Sequence, residues 1–293
     1  MGGARKLVLA CLLFAAASMP AGATPVPTTP APATPTAATD RDQVTVSFFS
    51  PALDGVMHAL VFLPAGYETG DERYPVVYFL HGLPAPPSAY TGSKWLADAI
   101  QDTGKPAILV EPQGSRTKDT DPEYLNWGPG RNWETYVAHD LVAYVDSTFR
   151  TIPTRDGRAL VGESAGGYGA IIIGLHHLQE FAAIQSWSGY FHATDPTGTT
   201  ALDRGPETNA HNEIAQLVAQ DATSPTSLSF YVGRADKLFA GENIVFDREL
   251  TEAHVPHLFE LYAGGHAVSL WRAHAAGWLA LAFGRLTAAF TDP

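Results

Sequence analysis

The chain has one cysteine in 293 residues, so neither a disulfide framework nor a zinc knuckle is available to it. Positive charge is also scarce. Lys and Arg total 18 against 30 Asp and Glu, a formal net charge of -12, and no Lys/Arg block occurs. A nucleic-acid partner is excluded on that ground, because phosphate binding needs a positive surface. No apolar run approaches the roughly 20 residues that a transmembrane helix requires. There is no glycine-rich phosphate loop, no heptad array and no HExxH zinc pattern. What remains is an acidic chain with 45% hydrophobic and only 16% charged residues, enough for one large core and too apolar to stay disordered.

The first residues read as an address. Arg5 and Lys6 precede an apolar run from Leu7 to Ala17, and Ala21-Gly22-Ala23 follows as a small-residue cleavage pattern. This is the layout of a secretory signal peptide, expected over residues 1–23. Cys11 lies inside the apolar run rather than after it, which is the wrong place for a lipid anchor. Cleavage removes that cysteine and leaves an exported chain with no thiol to oxidise or mispair. Residues 24–41 are dominated by Pro, Thr and Ala and have little to bury. They read as a tether, as a spacer glycosylated on threonine, or as plain disordered chain. The folded domain is expected over residues 42–293, in a protein exported from the cell and either free or associated with the cell wall.

Within that domain apolar runs alternate with helical patterns. Strands are expected at Val44–Phe49, Ala59–Leu63, Val76–Leu80, Ala107–Val110, Ala159–Val161, Ala183–Trp187, Leu228–Val232 and Leu258–Tyr262. Helices are expected at Ser88–Asp102, Trp133–Phe149, Ala165–His177, Asn209–Gln220, Glu242–His254 and Ser269–Phe290. Continuous runs such as Val76–Leu80 suit strands buried on both faces of a parallel sheet. The alternation predicts an α/β fold: a mostly parallel central sheet of about eight strands with helices on both faces.

Gly162-Glu163-Ser164-Ala165-Gly166 is a G-x-S-x-G pattern between a short buried strand and a helix. In that setting the serine sits on a sharp strand-to-helix turn with its hydroxyl exposed above the sheet. A serine hydroxyl needs a base to take its proton, and the base needs a carboxylate to hold it. In this architecture acid and base follow the serine in that order, each on a loop after a strand. Asp236 follows the strand ending in Val232, and His266 follows the strand ending in Tyr262. Glu242 and Asp247, in the next helical pattern, are the rival acids. Of the eleven histidines, His254 and His274 fall in helical patterns, His176 and His177 end the helix after the serine, and His192 and His211 sit in or beside a long loop. Two backbone N–H groups are expected to form an oxyanion hole. Ala165, next to the nucleophile, is one. The other comes from His81-Gly82-Leu83-Pro84, where Pro84 has no N–H and Leu83 is the expected donor.

Aromatic residues on the loops are candidates for substrate contact. Tyr124 and Trp127 are placed to stack on a sugar or aromatic acyl group, and Trp187 and Tyr190, with Phe191, to line an acyl pocket. Each has packing against the domain as the plainer alternative. Asp119-Thr120-Asp121-Pro122-Glu123 alternates acids in a way that suits calcium, but reads more plainly as a solvated acidic loop.

These motifs together resemble a known family. The stretch from Trp133-Glu134-Thr135-Tyr136 to Arg150-Thr151-Ile152, GESAGGYGA at 162–170, Phe181, Ser186-Trp187-Ser188-Gly189, and Gly264-Gly265-His266 with Trp271 are similar to the Putative esterase family. This is the esterase D-like branch of the α/β-hydrolases, with feruloyl and acetyl xylan esterases, S-formylglutathione hydrolases and mycolyltransferases among its members. The resemblance covers roughly residues 43 to 290. It implies Ser164 as nucleophile, His266 as base, Asp236 as acid and the Leu83 and Ala165 N–H groups as oxyanion hole, with no metal or organic cofactor. Glu163 and Ala165 depart from the hydrophobic residue and the methionine commoner at those places. His81 and Pro84 stand where mycolyltransferases often carry an acid and an arginine. The expected activity is a secreted serine carboxylic-ester hydrolase acting on a small ester or an acylated glycan or lipid. The alternatives are an acyltransferase of the mycolyltransferase type, a peptidase, and a non-catalytic secreted binder on the same fold.

Overall fold

The computed structural model describes residues 43–221 and 224–288. The signal-peptide and spacer readings, residues 1–23 and 24–41, lie outside them. Eight strands form one sheet: β1 Gln43–Ser50, β2 Gly55–Phe62, β3 Val76–Leu80, β4 Ile108–Pro112, β5 Arg158–Glu163, β6 Ala183–Trp187, β7 Ser227–Gly233 and β8 His257–Tyr262. Their order is β1-β2-β4-β3-β5-β6-β7-β8. β1/β2 and β2/β4 are antiparallel, and every other neighbouring pair is parallel. This is the α/β-hydrolase arrangement.

β3, β4 and β6 are buried along their whole length; β3 is apolar throughout, whereas β4 buries Glu111 and β6 buries Gln185 and Ser186. One face of the sheet carries Val76, Tyr78, Val110, Leu160 and Ile184 against α4, Ala165–His176. The other carries Val77, Phe79, Leu109, Val161 and Trp187 against α1, Lys94–Asp102, and α7, Val268–Phe283. α4 has every residue but its last buried, which explains why its apolar residues show no stripe.

Five of the expected helices differ in detail. Trp133–Phe149 is α2, Trp133–Thr135, then a π-helical turn at Tyr136–Leu141, then α3, Val142–Thr148. Ser88–Asp102 begins with a 3-10 turn at Ala89–Thr91 before α1. Asn209–Gln220 begins with a 3-10 turn at Ala210–Glu213 and continues as α5, Ile214–Asp221. The last helix stops at Phe283, where Gly284 caps it, rather than at Phe290. α6, Ala240–Glu252, starts two residues earlier than expected. No helix among the described residues is long and apolar enough to cross a membrane.

Candidate active site

The strand-to-helix turn after β5 puts Ser164 at φ 54°, ψ −125°, a conformation that a non-glycine residue holds only when its surroundings impose it. The neighbouring glycines show what imposes it. A Cβ on Gly162 would stand 2.1 Å from the Gly166 carbonyl oxygen, and one on Gly166 would stand 2.0 Å from that of Leu80. The turn is thus pressed against itself and against β3 at distances no side chain allows. Ser164 N–H donates to the Trp187 carbonyl at 3.0 Å, tying the turn to β6. Behind the hydroxyl lies the N-terminus of α4, with its unpaired N–H groups.

His266 and Asp236 arrive on loops that are stitched together. Arg234 N–H donates to the Tyr262 carbonyl at 2.8 Å and Ala235 N–H to that of Gly264 at 2.7 Å. Gly264, at φ 128°, supplies the left-handed backbone that the turn needs. His266 Nδ1 stands 2.8 Å from Asp236 Oδ2, and Nε2 stands 2.9 Å from Ser164 Oγ. Asp236 Oδ1 accepts the N–H groups of Leu238 and Phe239, both at 3.1 Å, so the same carboxylate also caps the following turn. Burial pushes its pKa up, but the hydrogen bonds from His266, Phe239 and Leu238 outweigh that and hold it below the usual carboxylate range. An ionised Asp236 selects the imidazole tautomer with its proton on Nδ1, which leaves Nε2 free to accept from Ser164. The rings of Phe239 and Trp271 pack edge-to-face with the imidazole, their centroids 5.2 and 5.3 Å from its own, and Trp271 is itself fixed by donating to Ser188 Oγ at 3.1 Å.

The rival residues are engaged elsewhere. Glu242 binds His192 and the Phe191 N–H, and Asp247 binds His257 at 3.0 Å. His211 pairs with Glu249, His176 and His177 share Glu134, and His274 stacks on Tyr262 at 3.6 Å.

The loop after β3 lies against the serine. A Cβ on Gly82 would stand 3.2 Å from Ser164 Cβ. His81 Nδ1–H donates to the Gly82 carbonyl at 2.9 Å, and Gly114 N–H donates to His81 Nε2 at 3.1 Å. In a trans peptide the N–H points opposite to the C=O. The bond from His81 therefore turns the N–H of the same peptide, that of Leu83, the other way. Among the described residues, no acceptor within the chain meets the N–H of Leu83 or of Ala165.

The aromatic candidates are placed otherwise than expected. Tyr124 is fully buried, its ring over Gly169 and its hydroxyl donating to the His81 carbonyl at 2.8 Å. Trp187 is fully buried between Phe79, Trp95 and Tyr231. Tyr190 stacks on Tyr168 at 5.1 Å and donates to Glu123. Rings enclosed in this way have no face left for substrate. Trp127 is half-buried, with the guanidinium of Arg204 over its ring at 4.1 Å and that of Arg131 at 5.2 Å. The acidic loop is not simply solvated either. Asp119 pairs with Arg131 and accepts from Trp133 Nε1–H, while Glu123 is buried and its pKa is pushed up by that burial to about 8. No group of three or more His, Cys, Asp or Glu among the described residues is arranged to hold a metal ion. Leu238, Phe239 and Val268 were not expected at the site. Leu238 and Val268 are large exposed hydrophobics two residues after Asp236 and His266, and that spacing was the signal in the sequence.

The sequence matches the family described as "Putative esterase" over residues 50–280. An esterase of Mycobacterium tuberculosis strain H37Rv is 36% identical over 130 residues, 44% of this chain and 28% of that protein. The MPT51/MPB51 antigen of Mycobacterium bovis is 27% identical over 148 residues, 49% of this chain and 46% of the antigen. The chain thus spans less than half the length of either of these relatives. A solved ferulic acid esterase superposes with a TM-score of 0.69 at 25% identity, covering 85% of this chain and 100% of that one. An S-formylglutathione hydrolase of Staphylococcus aureus shares the fold at a TM-score of 0.68 and 21% identity, over 83% and 100% of the two chains. The match over residues 50–280 takes in most of the chain, β2 through β8 and the serine turn included, and on it the chain belongs to the Putative esterase family.

Proposed function

We propose that the protein is a serine carboxylic-ester hydrolase working through Ser164, His266 and Asp236. The observation that carries the reading is the unbroken contact from Asp236 Oδ2 through both ring nitrogens of His266 to Ser164 Oγ, at 2.8 and 2.9 Å. Ser164 Oγ attacks the ester carbonyl while His266 Nε2 takes its proton. The carbonyl oxygen becomes negative and is held by the Leu83 and Ala165 N–H groups. His266 then gives its proton to the departing alcohol, leaving an acyl group on Ser164. Water, deprotonated by His266, attacks that acyl group, and the serine is regenerated. Asp236 stays ionised throughout and stabilises the imidazolium.

The test is turnover of aryl esters of rising chain length and of a feruloyl ester, each with and without trehalose as acceptor. Release of free acid from at least one ester supports hydrolysis. Capture of most of the acyl group by the sugar would make the protein a transferase, and absence of turnover throughout would make it a binder. The leader at residues 1–23 supports export, which the N-terminal sequence of protein recovered from the culture medium checks.

A further inference from the structure

Tyr124 lies on the 113–132 loop after β4, and its backbone is held against its own preference. Glu123 and Tyr124 are consecutive non-glycine residues in the left-handed region, at φ 51° and 54°. Such conformations persist only where the surroundings impose them. Two contacts bind Tyr124 in place. Its ring fills a notch on α4 that glycine leaves open, since a Cβ on Gly169 would stand 2.7 Å from Tyr124 Cδ2. Its hydroxyl donates to the His81 carbonyl at 2.8 Å. Tyr124 therefore spans from the helix that starts at Ser164 to the loop that follows β3. Gly114 packs against the far end of this span, where a Cβ would stand 2.3 Å from the hydroxyl and 2.9 Å from His81 Nε2.

A peptide is planar, so fixing its carbonyl fixes its N–H. The His81–Gly82 peptide is fixed by Tyr124 through the His81 carbonyl. The Gly82–Leu83 peptide, which carries the Leu83 N–H, is fixed by His81 Nδ1–H through the Gly82 carbonyl at 2.9 Å. Gly114 N–H donates to His81 Nε2 at 3.1 Å, which leaves the ring proton on Nδ1. Both peptides of Gly82, the residue that lies against Ser164, are thus held by buried hydrogen bonds that meet at His81.

Resting on the esterase reading above, we propose that Tyr124 is a positioning residue for the oxyanion hole. Its hydroxyl holds the 81–83 turn at a fixed place relative to α4, and so keeps the Leu83 N–H aimed where the substrate oxygen becomes negative. Aim is what such a donor contributes, because a donor already in place needs no rearrangement as charge develops. Without the hydroxyl the His81 carbonyl loses its partner. The His81–Gly82 peptide can then rotate and carry the Leu83 N–H with it. The uncharged ester senses this little and the transition state senses it strongly, so the loss falls on kcat rather than KM. A hydroxyl that merely stabilised the fold would change the amount of folded enzyme and not the rate per reactive serine.

The test compares wild type, Tyr124→Phe and Tyr168→Phe, each titrated with a fluorophosphonate to count reactive Ser164. Tyr168→Phe is the matched control. It also deletes one buried hydroxyl, but that one donates at 2.7 Å to the Thr208 carbonyl, away from the 81–83 turn. Measured are kcat and KM for a short aryl ester, and Ki for a trifluoromethyl ketone, which becomes an oxyanion when Ser164 Oγ adds to it. Misaiming one donor is expected to cost Tyr124→Phe about 10-fold in kcat, below the cost of deleting it, with KM changed less than about threefold. Its Ki should rise by about the factor by which kcat/KM falls. Tyr168→Phe should stay within about threefold of wild type in all three. Should Tyr124→Phe not fold, Gly114→Ala, whose methyl group displaces the same hydroxyl, is expected to give the same pattern. Wild-type kcat in the folded variant, a fall in kcat with Ki unchanged, or an equal loss in Tyr168→Phe would overturn the proposal while leaving the esterase reading intact. A wild type that takes up no fluorophosphonate and turns over no ester would overturn both.

Discussion

Glu242 Oε1 accepts the backbone N–H of Phe191 at 3.0 Å, and so fastens the loop after β6 to α6 rather than serving His266. Its burial pushes its pKa up, but bonds from His192, His211 and Phe191 outweigh this and keep it below the ordinary value. That separates two acids which the sequence leaves in competition. Asp236→Asn should lower kcat by about 10⁴-fold, because an amide there favours the wrong imidazole tautomer. Glu242→Gln should change kcat by less than about threefold and instead cost about 1–3 kcal/mol of stability, as a charged hydrogen-bond acceptor is lost. Steady-state kinetics and denaturant melts on the two variants check this, and the reverse pattern would make Glu242 the acid.

The glycines of the serine turn differ sharply from another helical glycine. Gly166→Ala places a methyl group 2.0 Å from the Leu80 carbonyl oxygen, where only backbone movement can make room. Loss of folded protein, or of more than about 3 kcal/mol, is the expected result. Gly241→Ala, in the first turn of α6, meets nothing within 4 Å. It should stabilise the domain by about 0.5–1 kcal/mol through the unfolded chain alone. Urea midpoints of the two variants make the comparison.

Buried carboxyls give stability a definite slope with pH. Burial raises Glu111 and Glu123 to about 8 and Asp121 to about 6 in the folded protein. For groups raised on folding, the associated stability is fully present below their unfolded values, near 4, and is lost as pH climbs through the folded ones. His176, whose burial lowers its pKa but whose bond to Glu134 raises it more, acts in the same direction, with its contribution lost above the ordinary histidine range. Glu134, at about 2, and Asp236 are lowered instead, and their contributions are lost in acid. The melting temperature is therefore expected to peak near about pH 4–5 and to fall by at least about 5 °C by pH 8.5. Glu111→Gln should flatten that decline. A melting temperature that rose between pH 5.5 and 8.5 would contradict the assignment of these carboxyls as neutral.

The strands and the serine turn were legible because they rest on local signals. Val76–Leu80 is apolar throughout, and Gly162-Glu163-Ser164-Ala165-Gly166 joins such a strand to a helix. The partners of Ser164 were legible for a topological reason, since Asp236 and His266 follow the two strands that end the sheet. The aromatic residues were not, and the cause is equally physical. Whether Tyr124 stands out of its loop or lies under it depends on its hydroxyl reaching the His81 carbonyl, 43 residues earlier. Trp187 lies on a strand covered on both faces, so its place next to a long loop says nothing about access. The π-helical turn at Tyr136–Leu141 left no trace either, because the extra residue barely disturbs a stripe as broad as that helix carries.

The most direct test of the reading is to locate the nucleophile. Wild type, Ser164→Ala and His266→Ala are each incubated with an aryl fluorophosphonate and weighed intact, and the adduct is mapped to a peptide. One adduct per wild-type chain, carried by Ser164 and absent from both variants, is the expected result. An adduct on another residue, or full ester turnover by a folded Ser164→Ala, would contradict it.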